Sequence, residues 1–152
     1  MRQSATRNTP TGASGGYRIV KVFADTHYFV ALLSSRDAAH AAAASWKPDA
    51  AGVELVTTSW VFVELADGMN LPAERDAVAR LILRLRADPR TRVVPMSEEM
   101  LWRGFEVFRQ RRDKAWSLTD CISFVVMSDE GITTALTGDH HFEQAGFTAL
   151  LK

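Results

Sequence analysis

Four carboxylates stand where a sequence pattern would place chemistry: Asp25, Glu64, Asp120 and Asp139. Asp25 directly follows Tyr17–Ala24, a short run rich in β-branched residues that reads as a buried strand. Asp139 follows a second such run, Ile132–Thr137, with only Gly138 between. Taken singly, either aspartate is equally at home as a turn or helix-capping residue. Glu64 is set in the apolar stretch Trp60-Val61-Phe62-Val63-Glu64-Leu65-Ala66, expected to be a helix buried on more than one face. A carboxylate there needs a cation or strong hydrogen-bond donors; the alternatives are a place on the solvent stripe or an Arg partner. Asp120 closes Ser117-Leu118-Thr119-Asp120, which fits a capping box with Asp in place of the usual Glu, before the apolar run Cys121–Met127. For this residue alone the capping and catalytic readings stand level.

As a set the four say more. Hard oxygen ligands, with no Cys cluster and no paired-His motif, suit one or two Mg²⁺ or Mn²⁺ ions. Clustered carboxylates repel one another and rise in pKa, and a divalent ion makes them mutually tolerant. Such an ion activates water and stabilises charge on a scissile phosphate. The single cysteine, Cys121, excludes an intramolecular disulfide and a Cys-rich zinc site, and its apolar surroundings read as a buried, inert thiol. His140 and His141 are adjacent, and neighbouring helical side chains diverge, so at most one faces the site and neither is assigned to it. His40, in an Ala-rich segment, reads as a surface residue.

Positioning these groups requires a scaffold, and the chain is long enough for one domain: 152 residues, 47% apolar, 24% charged. Residues 1–16, rich in Ser, Thr, Gly and Pro, read as a flexible tail, and residues 17–152 as the folded domain. Helices are expected over 27–33, over 36–46 (stopping before Pro48), and to Asp67 after a Thr58 or Ser59 cap, with Gly68 as terminator. Pro72 opens another, Ala73–Arg86. Ser97 caps a helix with Met100, Leu101, Phe105 and Phe108 on its inner face, and Ser117 caps one running to about Asp129 before Gly131. A short helical turn passes through His141 and Phe142. Strands are expected at 17–24, 54–57, 92–94, 132–137 and 147–151. This alternation calls for an α/β fold: one domain with a central, mostly parallel sheet flanked by helices on both faces. In such sheets the functional crevice lies at the carboxyl ends of the strands, where Asp25 and Asp139 fall.

Net charge is zero, with 18 basic and 18 acidic residues, which argues against a generic nucleic-acid binder. The distribution matters more. Arg103, Arg109, Arg111, Arg112 and Lys114 lie just before Asp120, where they would neutralise backbone phosphates; the plain alternative is a solvated face with Glu106 and Asp113 as partners. Trp116 can stack on a base but reads better as a core residue. No signal peptide and no membrane-spanning run is visible, so the expectation is a cytoplasmic protein with no membrane partner.

The segments carrying the four acids resemble those of the PIN-domain family, and more narrowly the VapC-type toxins of bacterial toxin–antitoxin modules. Phe23-Ala24-Asp25-Thr26 with Phe29–Leu33, Thr57-Thr58-Ser59 with Val63-Glu64-Leu65, Trp116–Phe124 and Thr137-Gly138-Asp139-His140-His141-Phe142 fit that family's four acidic segments in order and spacing. The resemblance implies a divalent-metal ribonuclease with Asp25, Glu64, Asp120 and Asp139 as its quartet and Thr26 and Thr119 as accessory groups orienting water or a carboxylate. It also implies an RNA substrate, a homodimer and a small cognate antitoxin that blocks the site. His27 stands where many relatives carry a small residue.

Other classes fit less well. An aspartyl-phosphate phosphatase needs a second Asp two residues after the first, and Asp25 is followed by Thr26-His27. A nuclease with Asp before Glu-x-Lys fails because Glu54 leads into Leu55-Val56. A DNA flap nuclease would need a larger chain. A non-toxin RNA-processing nuclease, and a non-catalytic RNA- or protein-binding module on the same fold, remain as alternatives; all four acids are present, which argues against the latter.

Overall fold

The fold is given by a computed structural model, which describes residues 18–46 and 52–152. The expected tail, Tyr17 and Pro48 lie outside the described residues, and the strand expected from Tyr17 is formed only from Val20, with Arg18 and Ile19 outside it. The elements run β1 (Val20–Ala24), α1 (Thr26–Leu33), α2 (His40–Ser45), β2 (Val53–Thr58), α3 (Ser59–Gly68), α4 (Pro72–Ala87) and β3 (Thr91–Val94), then α5 (Glu98–Gln110), α6 (Leu118–Glu130), β4 (Thr134–Leu136), α7 (His140–Gln144) and β5 (Thr148–Ala149). The strands form one sheet in the order β3-β2-β1-β4-β5, and every pairing is parallel. Parallel neighbours need crossovers, and these are right-handed almost without exception. The chain steps outward from β1 to β2 and β3, then returns to lay β4 on the other side of β1. That puts α1–α4 on one face and α5–α7 on the other, with α1 against α2 and α3, and α6 against α5 and α7. The gap between the β1 and β4 carboxyl ends is the point where strand order reverses, the usual crevice of such sheets.

The core explains why the ends of β1, α6 and α7 stay together. Phe23 of β1, Phe124 of α6 and Phe142 of α7 are buried, with Phe142 tilted against Phe23 at 6.2 Å and edge-on to Phe124 at 5.0 Å. Trp116 packs edge-on against Phe124 at 5.0 Å, and its indole N–H donates to Gln144 Oε1, the core role expected of it. Such aromatic pairs add about 1 kcal/mol each beyond their burial. Caps fix the helix starts. Thr58 Oγ1 accepts from Val61 N–H, Ser97 Oγ from Met100 N–H, and Ser117 with Asp120 forms the expected reciprocal box. Gly131 ends α6 at φ +67°, a conformation other residues reach only at a cost.

Several local expectations need correction. The second helix begins at His40, not Arg36, because Asp37 Oδ1 takes the Ala39 N–H and holds the preceding residues in turns. Gly68 is the last residue of α3 rather than a left-handed terminator. The strand expected over 132–137 shortens to Thr134–Leu136, and the one over 147–151 to Thr148–Ala149. His40 is half-buried, with Nδ1 2.7 Å from the Ala31 carbonyl. Helix α3 buries one stripe only, Val61 and Leu65, and leaves Val63 47% exposed.

The largest correction concerns α5. Phe105 and Phe108 do not face inward; they are exposed, together with Trp102. The inner line is Met100, Gly104 and Val107. Gly104 decides this, because a Cβ there would lie 2.3 Å from Ile122 Cγ1, so α6 approaches α5 on the glycine side and the aromatics opposite turn outward.

Candidate active site

Three of the four acids, Asp25, Asp120 and Asp139, sit at the start of a helix, two of them directly after a strand's carboxyl end. Asp25 ends β1 and starts α1; Asp139 follows β4 and caps α7, accepting from His141 N–H at 2.9 Å. Asp120 lies in the first turn of α6, and Glu64 is half-buried in the middle of α3. Glu64 is therefore not enclosed by a helix buried on several faces, and its charge is felt by Asp25. The structure links the four electrostatically in sequence, Glu64 to Asp25, Asp25 to Asp120 and Asp120 to Asp139. Asp25 is 3% exposed, and its carboxyl is pushed up from 3.8 to about 7, first by loss of water and then by the negative charges of Asp120 and Glu64. Asp120 is also raised, first by burial and further by Asp139, while the Ser117 N–H pulls it down.

One residue absent from the sequence reading organises the crevice. Thr137, buried at the end of β4, donates from Oγ1 to Asp25 Oδ2 and accepts from Asp139 N–H, both at 3.0 Å. It locks two acids from different strands into one arrangement. The signal for it was slight, a threonine just before Gly-Asp at a strand's end.

His141 is the second omission. Its Nδ1 lies 3.1 Å from Asp120 Oδ2 and 3.4 Å from Asp139 Oδ2. The expectation that adjacent histidines diverge does not hold. His140 Nδ1 is 3.5 Å from Asp139 Oδ1, and the two rings are 4.5 Å apart, because Asp139 is the residue from which α7 starts. Among the described residues, Asp139, His140 and His141 bring potential ligand atoms within 4.8 Å of one another, a span that no three of the four acids meet. Asp120 Oδ2 already accepts from Ser117 N–H, so Oδ1 is its oxygen left without a hydrogen bond. His27, the departure from the family pattern, accepts from Gly138 N–H with Nδ1 at 3.2 Å, and a side chain at Gly138 would strike its ring. It braces the turn that carries Asp139.

These groups fit a divalent ion. The buried Asp25 carboxylate, crowded by two like charges, has one hydroxyl donor and no cationic side chain as a hydrogen-bond partner. Beside it Thr26 Oγ1 is buried without a partner, and one turn beyond Asp120 so is Ser123 Oγ. Oxygen donors of this kind, with one imidazole alongside, are the set that Mg²⁺ or Mn²⁺ takes. Thr119 is half-buried in the first turn of α6, next to Asp120.

The five cations are distributed differently from the sequence expectation. Arg103 forms a two-pronged pair with Asp129, at the far end of α6 from Asp120. Arg109 binds Glu106, Arg111 binds Asp113, and Lys114 Nζ is 3.8 Å from Asp113. Only Arg112 has no acid beside it among the described residues. Arg111 also lies 4.7 Å over the Trp116 ring, close to the start of α6. Cys121 is fully buried with its thiol pushed up to about 11 by burial, as an inert core thiol should be.

A five-stranded parallel sheet with acids gathered where its strand order reverses is the architecture of a known nuclease class, and the chain belongs to the PIN-domain family, whose model matches residues 22–148. Within that family it is similar to the 23S rRNA-specific endonuclease VapC20 of Mycobacterium tuberculosis, with 32% identity over 131 residues covering 83% of this chain and 95% of the relative. The same match is found in strains CDC 1551 / Oshkosh and ATCC 25618 / H37Rv. The crystal structure of M. tuberculosis VapC20, described as a Sarcin-Ricin loop cleaving toxin, aligns with a TM-score of 0.74 at 26% identity, over 86% of this chain and 99% of that one. The expected VapC-type likeness is thus borne out, and with it the α/β fold. Among the described residues no helix is long and apolar enough to cross a membrane.

Proposed function

We propose that this chain is a divalent-metal-dependent endoribonuclease and the toxin of a type II toxin–antitoxin pair. One observation carries the reading: the Asp25 carboxyl is buried among like charges at the strand-order reversal, an arrangement that calls for a cation. In this reading Asp25, Asp120 (through Oδ1) and Asp139 hold the ion, and Glu64 orients water at its edge. When bound, the ion lowers the pKa of water and neutralises charge building on the scissile phosphate. Thr137 keeps Asp25 and Asp139 in register, and the Ser117 N–H and His141 turn Asp120 so that Oδ2 is occupied. Such supporting hydrogen bonds typically change metal affinity 10- to 100-fold. Thr26 offers its unpartnered hydroxyl to water or substrate, and Thr119 lines the same rim. Carboxylate and water ligands of this kind suit Mg²⁺ and Mn²⁺ alike. Hydrolysis of this type leaves 5′-phosphate and 3′-hydroxyl ends.

The substrate we propose is ribosomal RNA, the class on which VapC20 of M. tuberculosis acts. Arg111 and Lys114, at the entry to α6, are the cations best placed for its phosphates; Arg103 is not. A homodimer, a small antitoxin covering the site and a cytoplasmic setting complete the reading. The test is cleavage of total RNA and of isolated ribosomes with Mg²⁺, Mn²⁺ or chelator, comparing wild type with Asp120→Asn and mapping the new ends. Metal-dependent cuts that vanish in the variant support the proposal. Folded, antitoxin-free protein that cuts nothing with either metal overturns it.

A further inference from the structure

Gly138 joins β4 to Asp139, and backbone conformation does not explain why it is glycine. Among the described residues the glycines at positive φ are Gly52, Gly131 and Gly146. Gly138 is not one of them, so its main chain is open to any residue. What excludes a side chain there is space. A Cβ at Gly138 would lie 2.9 Å from His27 Cε1 and 3.3 Å from the Leu151 carbonyl oxygen. The position is filled from across the crevice by the imidazole ring.

The same ring takes the Gly138 N–H on Nδ1 at 3.2 Å. A ring nitrogen that accepts is unprotonated, so the hydrogen of this imidazole is on Nε2. His27 stands in the first turn of α1, two residues after Asp25. The start of α1 therefore grips the β4–α7 turn at two points. Asp25 holds the Thr137 hydroxyl through Oδ2, an oxygen of a prospective metal ligand. His27 holds the main chain one residue further on and uses no acid oxygen, so this grip does not compete with an ion. The Asp139 N–H is tied to Thr137 Oγ1 at 3.0 Å, and the Leu151 N–H to the Thr137 carbonyl at 3.1 Å. Releasing Gly138 frees the peptide just before Asp139, whose carboxylate lies beside Asp120 with the His141 ring between them.

We infer that His27 is a positioning residue for the metal site: its ring and Gly138 form a fitted pair that sets the Asp139 carboxylate against Asp120. The inference rests on the divalent-ion reading proposed above and deepens it, because neither member of the pair is a ligand in that reading. It also ties the identity of residue 138 to that of residue 27.

Mn²⁺ titration of the full chain, with hydrogen exchange of the Gly138 amide in metal-free protein followed by NMR, is the test. His27→Ala removes both the acceptor and the ring. It is expected to weaken Mn²⁺ binding about 10- to 100-fold and to speed Gly138 exchange at least about tenfold. His27→Asn offers Oδ1 close to the place of Nδ1, and is expected to bring both back to within about threefold of wild type. Gly138→Ala is expected to weaken Mn²⁺ binding about tenfold beside His27, and less than about threefold in the His27→Ala background, where the ring it would strike is gone. Circular dichroism like that of wild type shows that each variant folds. Rescue by asparagine and the vanishing of the Gly138→Ala penalty support the pair, since a general loss of packing produces neither. Mn²⁺ binding and Gly138 exchange that are indifferent to His27 overturn the inference while leaving the metal site standing; a wild-type chain that binds no divalent ion overturns both.

Discussion

Replacing Asp25 with Asn removes a charge that the folded chain holds at a cost, and the size of that cost follows from the site. Unfolded, the carboxyl titrates near 3.8; folded, burial and the charges of Asp120 and Glu64 raise it to about 7. Between these values the folded state holds a proton that the unfolded state has released. Stability of the metal-free protein therefore falls as pH rises from about 4, and the loss is complete above about pH 7. At 1.36 kcal/mol per unit the full penalty is about 4 kcal/mol, a large share of the 5–15 kcal/mol that holds a typical domain together. Asn keeps an acceptor for the Thr137 hydroxyl and carries no charge. In chelator, Asp25→Asn is thus expected to match wild type near pH 4 and to exceed it by roughly 4 kcal/mol at pH 8, read from urea unfolding at each pH. Saturating Mg²⁺ or Mn²⁺ should reverse the order, since ligand that binds only the folded state stabilises it and the variant has lost a ligand. A stability difference that is the same at pH 4 and pH 8 would refute the reasoning, because it would mean that the Asp25 charge costs the folded chain nothing.

Three further outcomes are expected. Thr137→Val should leave the sheet intact but unlink Asp25 from Asp139, costing about 1–3 kcal/mol in denaturant unfolding and 10- to 100-fold in Mn²⁺ affinity by titration calorimetry. Gly104→Ala should destabilise by about 1–3 kcal/mol, since its Cβ meets Ile122 Cγ1 at 2.3 Å and α5 must back away from α6; an unchanged melting curve would contradict that packing. Cys121, buried and titrating near 11, should resist thiol reagents at pH 8 in the native chain and react at once in urea.

The acids were legible because each lies beside a strong local signal. Asp25 and Asp139 end β-branched runs, and Asp120 completes a capping box that the structure keeps while also using the carboxylate in the crevice. The alternation of strands and helices fixed the fold class for the same reason. What escaped notice depends on contacts between distant segments. Thr137 reads as one more strand residue until β4 lies beside β1. His141 reads as one of a diverging pair until α7 starts at Asp139 itself. The aromatics of α5 looked inward-facing because hydrophobicity alone assigns them there; the choice of face was made by Gly104, whose lack of a side chain carries no weight in a periodicity count. The cations before Asp120 were visible, and so were Glu106 and Asp113 as partners for Arg109 and Arg111; Asp129 on α6, which takes Arg103, was not, because it lies 26 residues away.

The bond from Thr137 to Asp25 joins positions 112 residues apart, and β4 pairs with β1 only after three strands and six helices have gone before it. Loop closure over such a distance is slow and comes late in folding. A chain still being synthesised can build β1, β2 and β3 in order, yet it lacks Asp139 and the hydroxyl that aligns Asp25 until β4 and the turn after it have been made. The acid cluster therefore assembles only after the first three strands are in place. If the acid cluster is the nuclease centre proposed above, a chain that has not yet laid β4 beside β1 has no aligned centre with which to cut RNA.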